Sequence, residues 1–245
     1  MTSKERYLGS PLILGNSKQE AFKSIEDNFN NRLSTWSSTS LSQSGRSTMI
    51  KHVLNSLPVY QMRSFKLPDH LMKKLTTIQR KFFWGHSSNR GFNLVSYSKL
   101  WKSKDHVGLA FRDMEKLNLA LLTKLSWRVC TKEDQLCTQI LGSKYFKYGN
   151  ILHRRIEAIN FSYMCNGITK GLKIIQNNYF MEVNNGRKTN IWKDKWVPRL
   201  NHPPIPLNDM HRFYESVDEL INSDTNSWNV DLLNTLFDAI TSSQI

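Results

Sequence analysis

This chain of 245 residues has few of the groups that carry covalent or metal chemistry. It holds three cysteines, Cys130, Cys137 and Cys165, with no Cys-x-x-Cys spacing among them. An odd, unclustered set fits free thiols in a reducing compartment, not a disulfide framework. Cys130 and Cys137 are spaced to share one face of a helix, where cysteines usually act as small hydrophobes. The seven histidines (52, 70, 86, 106, 153, 202 and 211) include no pair four apart and none beside a cysteine in a ligand pattern. Metal binding therefore has no support in spacing. No Gly-x-Ser-x-Gly occurs, and Gly9-Ser10-Pro11 is too short and too proline-blocked to cradle phosphates. No apolar run reaches the length of a membrane span, and the start, Met-Thr-Ser-Lys-Glu-Arg, lacks the apolar stretch of a secretory signal. The expected location is intracellular, in nucleus or cytoplasm. No small-molecule substrate is evident.

What the chain has in quantity is positive charge and aromatic surface. Its net charge is +14, with 39% apolar and 11% aromatic residues, enough to bury a core. Residues 1–200 carry 33 Lys+Arg against 13 Asp+Glu, a net +20, whereas residues 201–245 carry one Arg against seven acids, a net −6. A basic body favours a polyanionic partner, because its cations displace condensed counterions from phosphates. The competing reading is a solvated basic surface.

Periodicity predicts a mainly helical chain. Tyr7 to Leu14, punctuated by Gly9, Pro11 and Gly15, reads as a strand or tight hairpin. A helix capped at Asn16 or Ser17, with Glu20 in capping-box spacing, carries the stripe Phe22, Ile25, Phe29, Leu33 and Trp36. Residues 37–44 are a Ser/Thr-rich loop. A second helix from about Ser44 presents Met49, Ile50, Val53, Leu54 and Leu57 and is closed by Pro58. Residues 58–67 read as extended, and Pro68 opens a third helix bearing Leu71, Leu75, Ile78 and Phe82. Gly85 to Gly91 reads as a polar loop. Asp113 caps a long helix through Cys130, and Asp134 a shorter one ending at Gly142. Ile168, Leu172 and Ile175 mark another helix. Asn185-Gly186 predicts a β-hairpin over 179–192, and His202-Pro203-Pro204-Ile205-Pro206 a stiff linker. Beyond it lie a capping box, Ser216 to Glu219, and a final amphipathic helix with Val230, Leu233, Leu236, Phe237 and Ile240.

Three places combine cations with aromatics. They are Gly45-Arg46 with Lys51 and His52; Lys73, Lys74, Arg80 and Lys81 leading to Phe82-Phe83-Trp84; and Arg187, Lys188, Lys193 and Lys195 around Trp192. Helix termini, Arg/Lys side chains and stacking rings are what tracking a nucleic-acid backbone requires. Against this, the rings of Trp192 and Trp196 are expected to be packing residues.

The ordered set Tyr7-Leu8-Gly9-Ser10-Pro11-Leu12, Arg32-Leu33 to Trp36, Leu41-Ser42 to Gly45-Arg46, Leu57-Pro58-Val59-Tyr60-Gln61-Met62, Leu67-Pro68, Phe83-Trp84 and Leu121 to Arg128 resembles plant LINE-type (non-LTR) retrotransposon reverse transcriptases just downstream of their active site. Val95-Ser96-Tyr97, Gly108-Leu109, Phe111-Arg112 and Trp192-x-Asp194-x-Trp196 continue the likeness, which covers about Arg6 to Ile240. The chain departs from the family at Val107-Gly108-Leu109-Ala110, where the pattern is Gly-Gly-Leu-Gly, and at Tyr97, where it has Trp. The resemblance implies that Tyr7 to Leu12 is the last edge of a palm, followed by a thumb that closes on template–primer duplex, with Arg46 and Lys51 at the junction. Without the other palm strands, that edge would be an orphan with unpaired backbone groups. Polymerase chemistry needs two metal ions held by paired carboxylates, and the chain has no Asp-Asp pair. Its adjacent acids, Glu26-Asp27, Glu133-Asp134 and Asp218-Glu219, sit where capping and solvation explain them.

The expected architecture is a mainly α, thumb-like helical bundle with a short N-terminal strand or hairpin and a small hairpin near 179–192. The expected divisions are a palm edge (1–15), a helical thumb and post-thumb region (16–150), a helix-plus-hairpin connection (151–200) and an acidic connector (201–245). The expected function is that of a reverse transcriptase fragment, inactive on its own. It would grip RNA, DNA or a hybrid through Arg46, Lys51, Lys73, Lys74, Arg80, Lys81, Arg187 and Lys188. No cofactor is expected, since Mg²⁺ would belong to the missing palm, and no membrane. The alternatives are a helical nucleic-acid-binding module and a retroelement relic without a role.

Overall fold

In the computed structural model, residues 6–7, 9–11, 14–15, 17–36, 40–86, 91–131, 135–145, 151–153 and 161–245 are described. The proposed caps Asn16 and Asp134, the Glu133-Asp134 pair, and parts of the 37–44 and 85–91 loops lie outside them. Two compact units form: one from residues 1–147 and 156–174, the other from 148–155 and 175–245. Among the described residues no helix is long and apolar enough to cross a membrane.

The first unit opens with an antiparallel hairpin, β1 (Arg6–Tyr7) and β2 (Ser10–Pro11), paired Arg6 to Pro11 and Tyr7 to Ser10. The strand expected to be an orphan edge thus finds a partner four residues away, and Ser10 and Pro11 are buried. Helix α1 (Lys18–Ala21) starts where Ser17 Oγ accepts the amide of Glu20 at 3.2 Å, as the capping box predicts. Helix α2 (Lys23–Thr35) buries Ile25 and Phe29, and α3 (Gln43–Met49) is capped by Ser42.

The helix expected to continue from α3 to Leu57 instead widens into a π-turn over Ile50–Leu54, in which Asn55 N–H reaches back to the Ile50 carbonyl at 3.0 Å. Both Ile50 and Leu54 are fully buried. Residues 58–67 are not extended throughout, because Val59–Met62 makes a helical turn, α4, on the Pro58 carbonyl. Helix α5 (Asp69–Trp84) follows Pro68 and buries Leu71, Met72, Leu75, Gln79, Phe82 and Phe83 along one side.

Two 3₁₀ turns, Tyr97–Trp101 and Lys104–His106, lead to α6 (Met114–Thr131), where Asp113 Oδ1 accepts the amides of Glu115 and Lys116 at 3.0 and 3.3 Å. Helix α7 (Leu136–Tyr145) runs through Gly142, so Cys130 and Cys137 belong to separate helices. Burial pushes the thiols of Cys130 and Cys165 up to about 11. At pH 8 roughly one thiol in a thousand is then thiolate, against about one in ten in the unfolded chain. Iodoacetamide should accordingly modify these two cysteines about a hundredfold more slowly in the native protein than in urea, read by peptide mass spectrometry. The fold favours the neutral thiols, so their contribution to stability is full below pH 9 and is lost as pH rises towards 11. Equal rates in the two states would contradict the burial.

The second unit takes the end of α8 (Tyr163–Asn178), whose earlier residues to Ile174 belong to the first. Its core is Ile191, Trp196, Val197, Val217, Leu220, Leu233, Leu236 and Phe237. The hairpin predicted over 179–192 does not form. Asn185 Oδ1 does accept the Arg187 amide at 3.3 Å, making a turn, but the backbone beyond is paired elsewhere. Ile191 N–H donates to Glu215, Val217 N–H donates to Thr189, and Asn190 bridges to Ser216. Gly186, at φ +75°, abuts Asp218 so closely that a Cβ would lie 2.4 Å from its amide nitrogen. Among the described residues of this mainly helical chain, the second hairpin lies instead at β3 (Ile221–Asn222) and β4 (Ser227–Trp228). The His202–Pro206 segment lies within this unit. The last helical pattern divides into α9 (Val230–Leu236) and α10 (Ala239–Ser242), because Asp238 turns out to cap the second piece, its Oδ1 accepting the Thr241 amide at 2.6 Å.

Candidate nucleic-acid interface

Charge divides along the two units. The first carries 26 Lys+Arg against 11 Asp+Glu, a net +15; the second carries 8 against 9, a net −1. The basic character of the protein therefore belongs to one folded body.

Six of the eight candidate cations lie in that first unit. On α5, Lys73, Lys74 and Arg80 are exposed and Lys81 is half-buried, opposite the apolar side of the helix. Lys74 is ion-paired with Glu26 of α2 at 2.7 Å, which leaves Lys73 and Arg80 as the more available cations. Arg46, on α3, is half-buried against the end of α5, where a Cβ on Gly85 would meet its Nη1 at 2.2 Å. The fold thus brings Arg46 to the last turn of α5, which bears Lys81. Lys51, in the π-turn, stands 5.7 Å from the centroid of the Phe111 ring.

The aromatics of these clusters pack inward. Phe82 and Phe83 are core residues, and the Phe83 ring meets Phe111 edge-on at 5.2 Å. These two rings are therefore not available for stacking on bases.

In the second unit Arg187 and Lys188 are exposed, with Arg187 Nε 3.9 Å from Asp218. The neighbouring Trp-x-Asp-x-Trp element is structural. Trp192 donates to the Tyr214 carbonyl at 2.7 Å and Trp196 to that of Ile191 at 3.0 Å. Asp194, almost fully buried, accepts from the Asn190 amide at 2.8 Å and pairs with His153 at 2.6 Å. Lys195 donates to the carbonyls of Gln176 and Asn177, closing the end of α8. The expectation that these rings are packing residues is met.

A basic cleft that sequence reading missed lies between the first turns of α5 and α8 in the first unit. It encloses about 200 Å³ and is lined by Lys66, Leu67, Pro68, Asp69, Tyr163, Asn166, Gly167 and Lys170. Lys66 pairs with Asp69 at 2.8 Å. Its hydrogen bond and charge hold the Asp69 carboxyl below its usual range, helped by Lys170 and Lys73. Tyr163 donates to the Lys66 carbonyl, and burial, with the charge of Asp69, raises its phenol. Lys66 and Lys170 are too distant in sequence for any local pattern to join them. Among the described residues no three His, Cys, Asp or Glu side chains gather as metal ligands.

No model of a known protein family and no solved structure matches the chain. Two proteins of Arabidopsis thaliana do. One, named "putative ribonuclease H protein", is 30% identical over 191 residues, covering 76% of this chain and 31% of the relative. The chain therefore spans less than a third of that protein's length. The other, named "uncharacterized mitochondrial protein", is 33% identical over 153 residues, covering 62% of this chain and 97% of that protein. The chain belongs to the family of this mitochondrial protein.

Proposed function

We propose that this retroelement-related chain is the part of a retrotransposon RNA-directed DNA polymerase that lies beyond the catalytic palm, a helical module that holds template–primer nucleic acid without catalysis of its own. The observation that carries the reading is the concentration of charge in one helical unit, with α5 apolar on its inner side and presenting Lys73 and Arg80 outward. A relative bearing a ribonuclease H name, of which the chain matches a part, fits a larger nucleic-acid enzyme. The order of motifs from Tyr7 to Trp196 supports the placement after a palm.

Grip through phosphates is largely independent of sequence and steeply dependent on salt. With roughly five cations engaged, log affinity against log salt for an RNA–DNA hybrid should slope about −4 to −5. Reversing Lys73, Lys74, Arg80 and Lys81 to Glu should weaken binding and flatten the slope, whereas neutralising Asp209 and Asp224 should not weaken it. Fluorescence anisotropy across a potassium chloride series measures both. Absence of binding at low salt would remove the reading.

A further inference from the structure

We propose that the cleft between the first turns of α5 and α8 is a phosphate-binding station for the backbone of a bound duplex, with Lys66 and Lys170 as its cations. The proposal rests on the nucleic-acid reading above and adds to it a site that none of the expected cations lines.

Four features make the cleft fit one phosphate group. Its volume of about 200 Å³ leaves room for a phosphate with accompanying water. The Lys66 side chain is 81% covered, its exposure being 19%, so its ammonium is held at the cleft and gains more from an anion than a freely solvated lysine would. Lys170 enters from α8 and Lys66 from the segment leading into α5, so the charges come from separate parts of the fold. Helix α5 also begins with Pro68 in the capping position and no side-chain cap. The first amides of the helix are thus left to solvent or to an incoming oxygen.

Asp69 is the anion now in place. Its side chain is 73% exposed, in contrast to the covered Lys66 it pairs with. A carboxylate on the open side of the pair can swing away while the lysine stays, so a phosphate exchanges with it at small cost. With two lysines lining it against one carboxylate, the cleft retains a net positive charge even before exchange.

The test uses the full chain and a short fluorescein-labelled RNA–DNA hybrid of arbitrary sequence, with anisotropy read over a potassium chloride series. Lys170→Gln should weaken binding about three- to tenfold at low salt and make the salt slope shallower by about 0.9, the loss of one phosphate contact. Asp69→Asn should strengthen binding about threefold, because the competing anion is removed. Lys124→Gln, at an exposed position of α6, is the control and should change neither quantity beyond its small share of net charge. Lys170 is exposed, so its substitution leaves the fold intact, as matching melting curves will verify. Wild-type binding that responds to Lys170→Gln and Asp69→Asn no more than to Lys124→Gln overturns the cleft and leaves the proposed function standing. Wild-type protein that fails to bind the hybrid overturns both.

Discussion

Gly108→Ala is expected to destabilise the first unit by about 3 kcal/mol, the cost of forcing an atom into a closed backbone contact. A Cβ at this position would lie 2.0 Å from the carbonyl oxygen of Lys102. That backbone cannot yield easily, because the loop is closed by its own hydrogen bonds. Gly108 N–H donates to Ser103, Ala110 N–H to Lys102, and both Leu109 and Phe111 N–H to Leu100. The flanking residues carry the opposite prediction. Val107 and Ala110 adopt φ of +58° and +53°, in the left-handed region that L residues enter at a cost of about 1–2 kcal/mol each. At both positions the resembled family has a glycine that this chain has lost. Val107→Gly and Ala110→Gly should therefore each stabilise by about 1 kcal/mol, reduced somewhat by the greater freedom of glycine in the unfolded chain. Urea unfolding followed by circular dichroism reads all three. A Gly108→Ala midpoint equal to the wild type would mean that the loop does not close on Lys102.

The second large effect concerns Asn118. Its side chain, fully buried on α6, donates to the carbonyls of Met62 and Phe65 at 2.8 and 2.9 Å and accepts the Leu67 amide at 2.9 Å. Asn118→Ala would leave those three backbone groups buried and unpaired, a loss of about 3–5 kcal/mol at the usual cost of unsatisfied groups. That is a large part of the whole stability of an ordinary domain. The stretch it pins runs directly into Pro68 and the start of α5. The variant should also lose amide-exchange protection at Leu67 before the rest of the unit. Protection at Leu67 that matches the wild type would show that the segment is held by its apolar packing alone.

Helices were legible in the sequence wherever one side is apolar and a polar residue caps the start. Ser17 and Asp113, both expected as caps, each hold an amide at the beginning of a helix, Ser42 does so two residues before the expected start of its helix, and the stripe Leu71, Leu75 and Phe82 is the buried side of α5. What local pattern could not supply was competition for backbone groups. Asn185-Gly186 carries a hairpin signal and makes its turn, but residues 189–191 pair with the distant 215–217 segment. The π-turn at Ile50–Leu54 has no local signal, because a helix of either period places Ile50 and Leu54 on one face. The site was legible in part. Lys73 and Arg80 stand outward as the helical period demands, while the aromatics beside them are core residues. Lys66 and Lys170 meet only through the tertiary fold.

The exchange of hydrogen bonds between 189–191 and 215–217 has a bearing on how a damaged copy of this gene would fare. A premature stop after Leu200 would strip Val217, Leu220, Leu233, Leu236 and Phe237 from the core of the second unit. Ile191, Trp196 and Val197 would lose their apolar cover, and the Ile191 amide would lose its acceptor at Glu215. Such a product presents the surfaces that chaperones and proteases survey, so its abundance would fall well before any binding surface on the first unit was touched. The acidic segment is therefore half of a shared core, and a translation product lacking it would carry Trp196 uncovered.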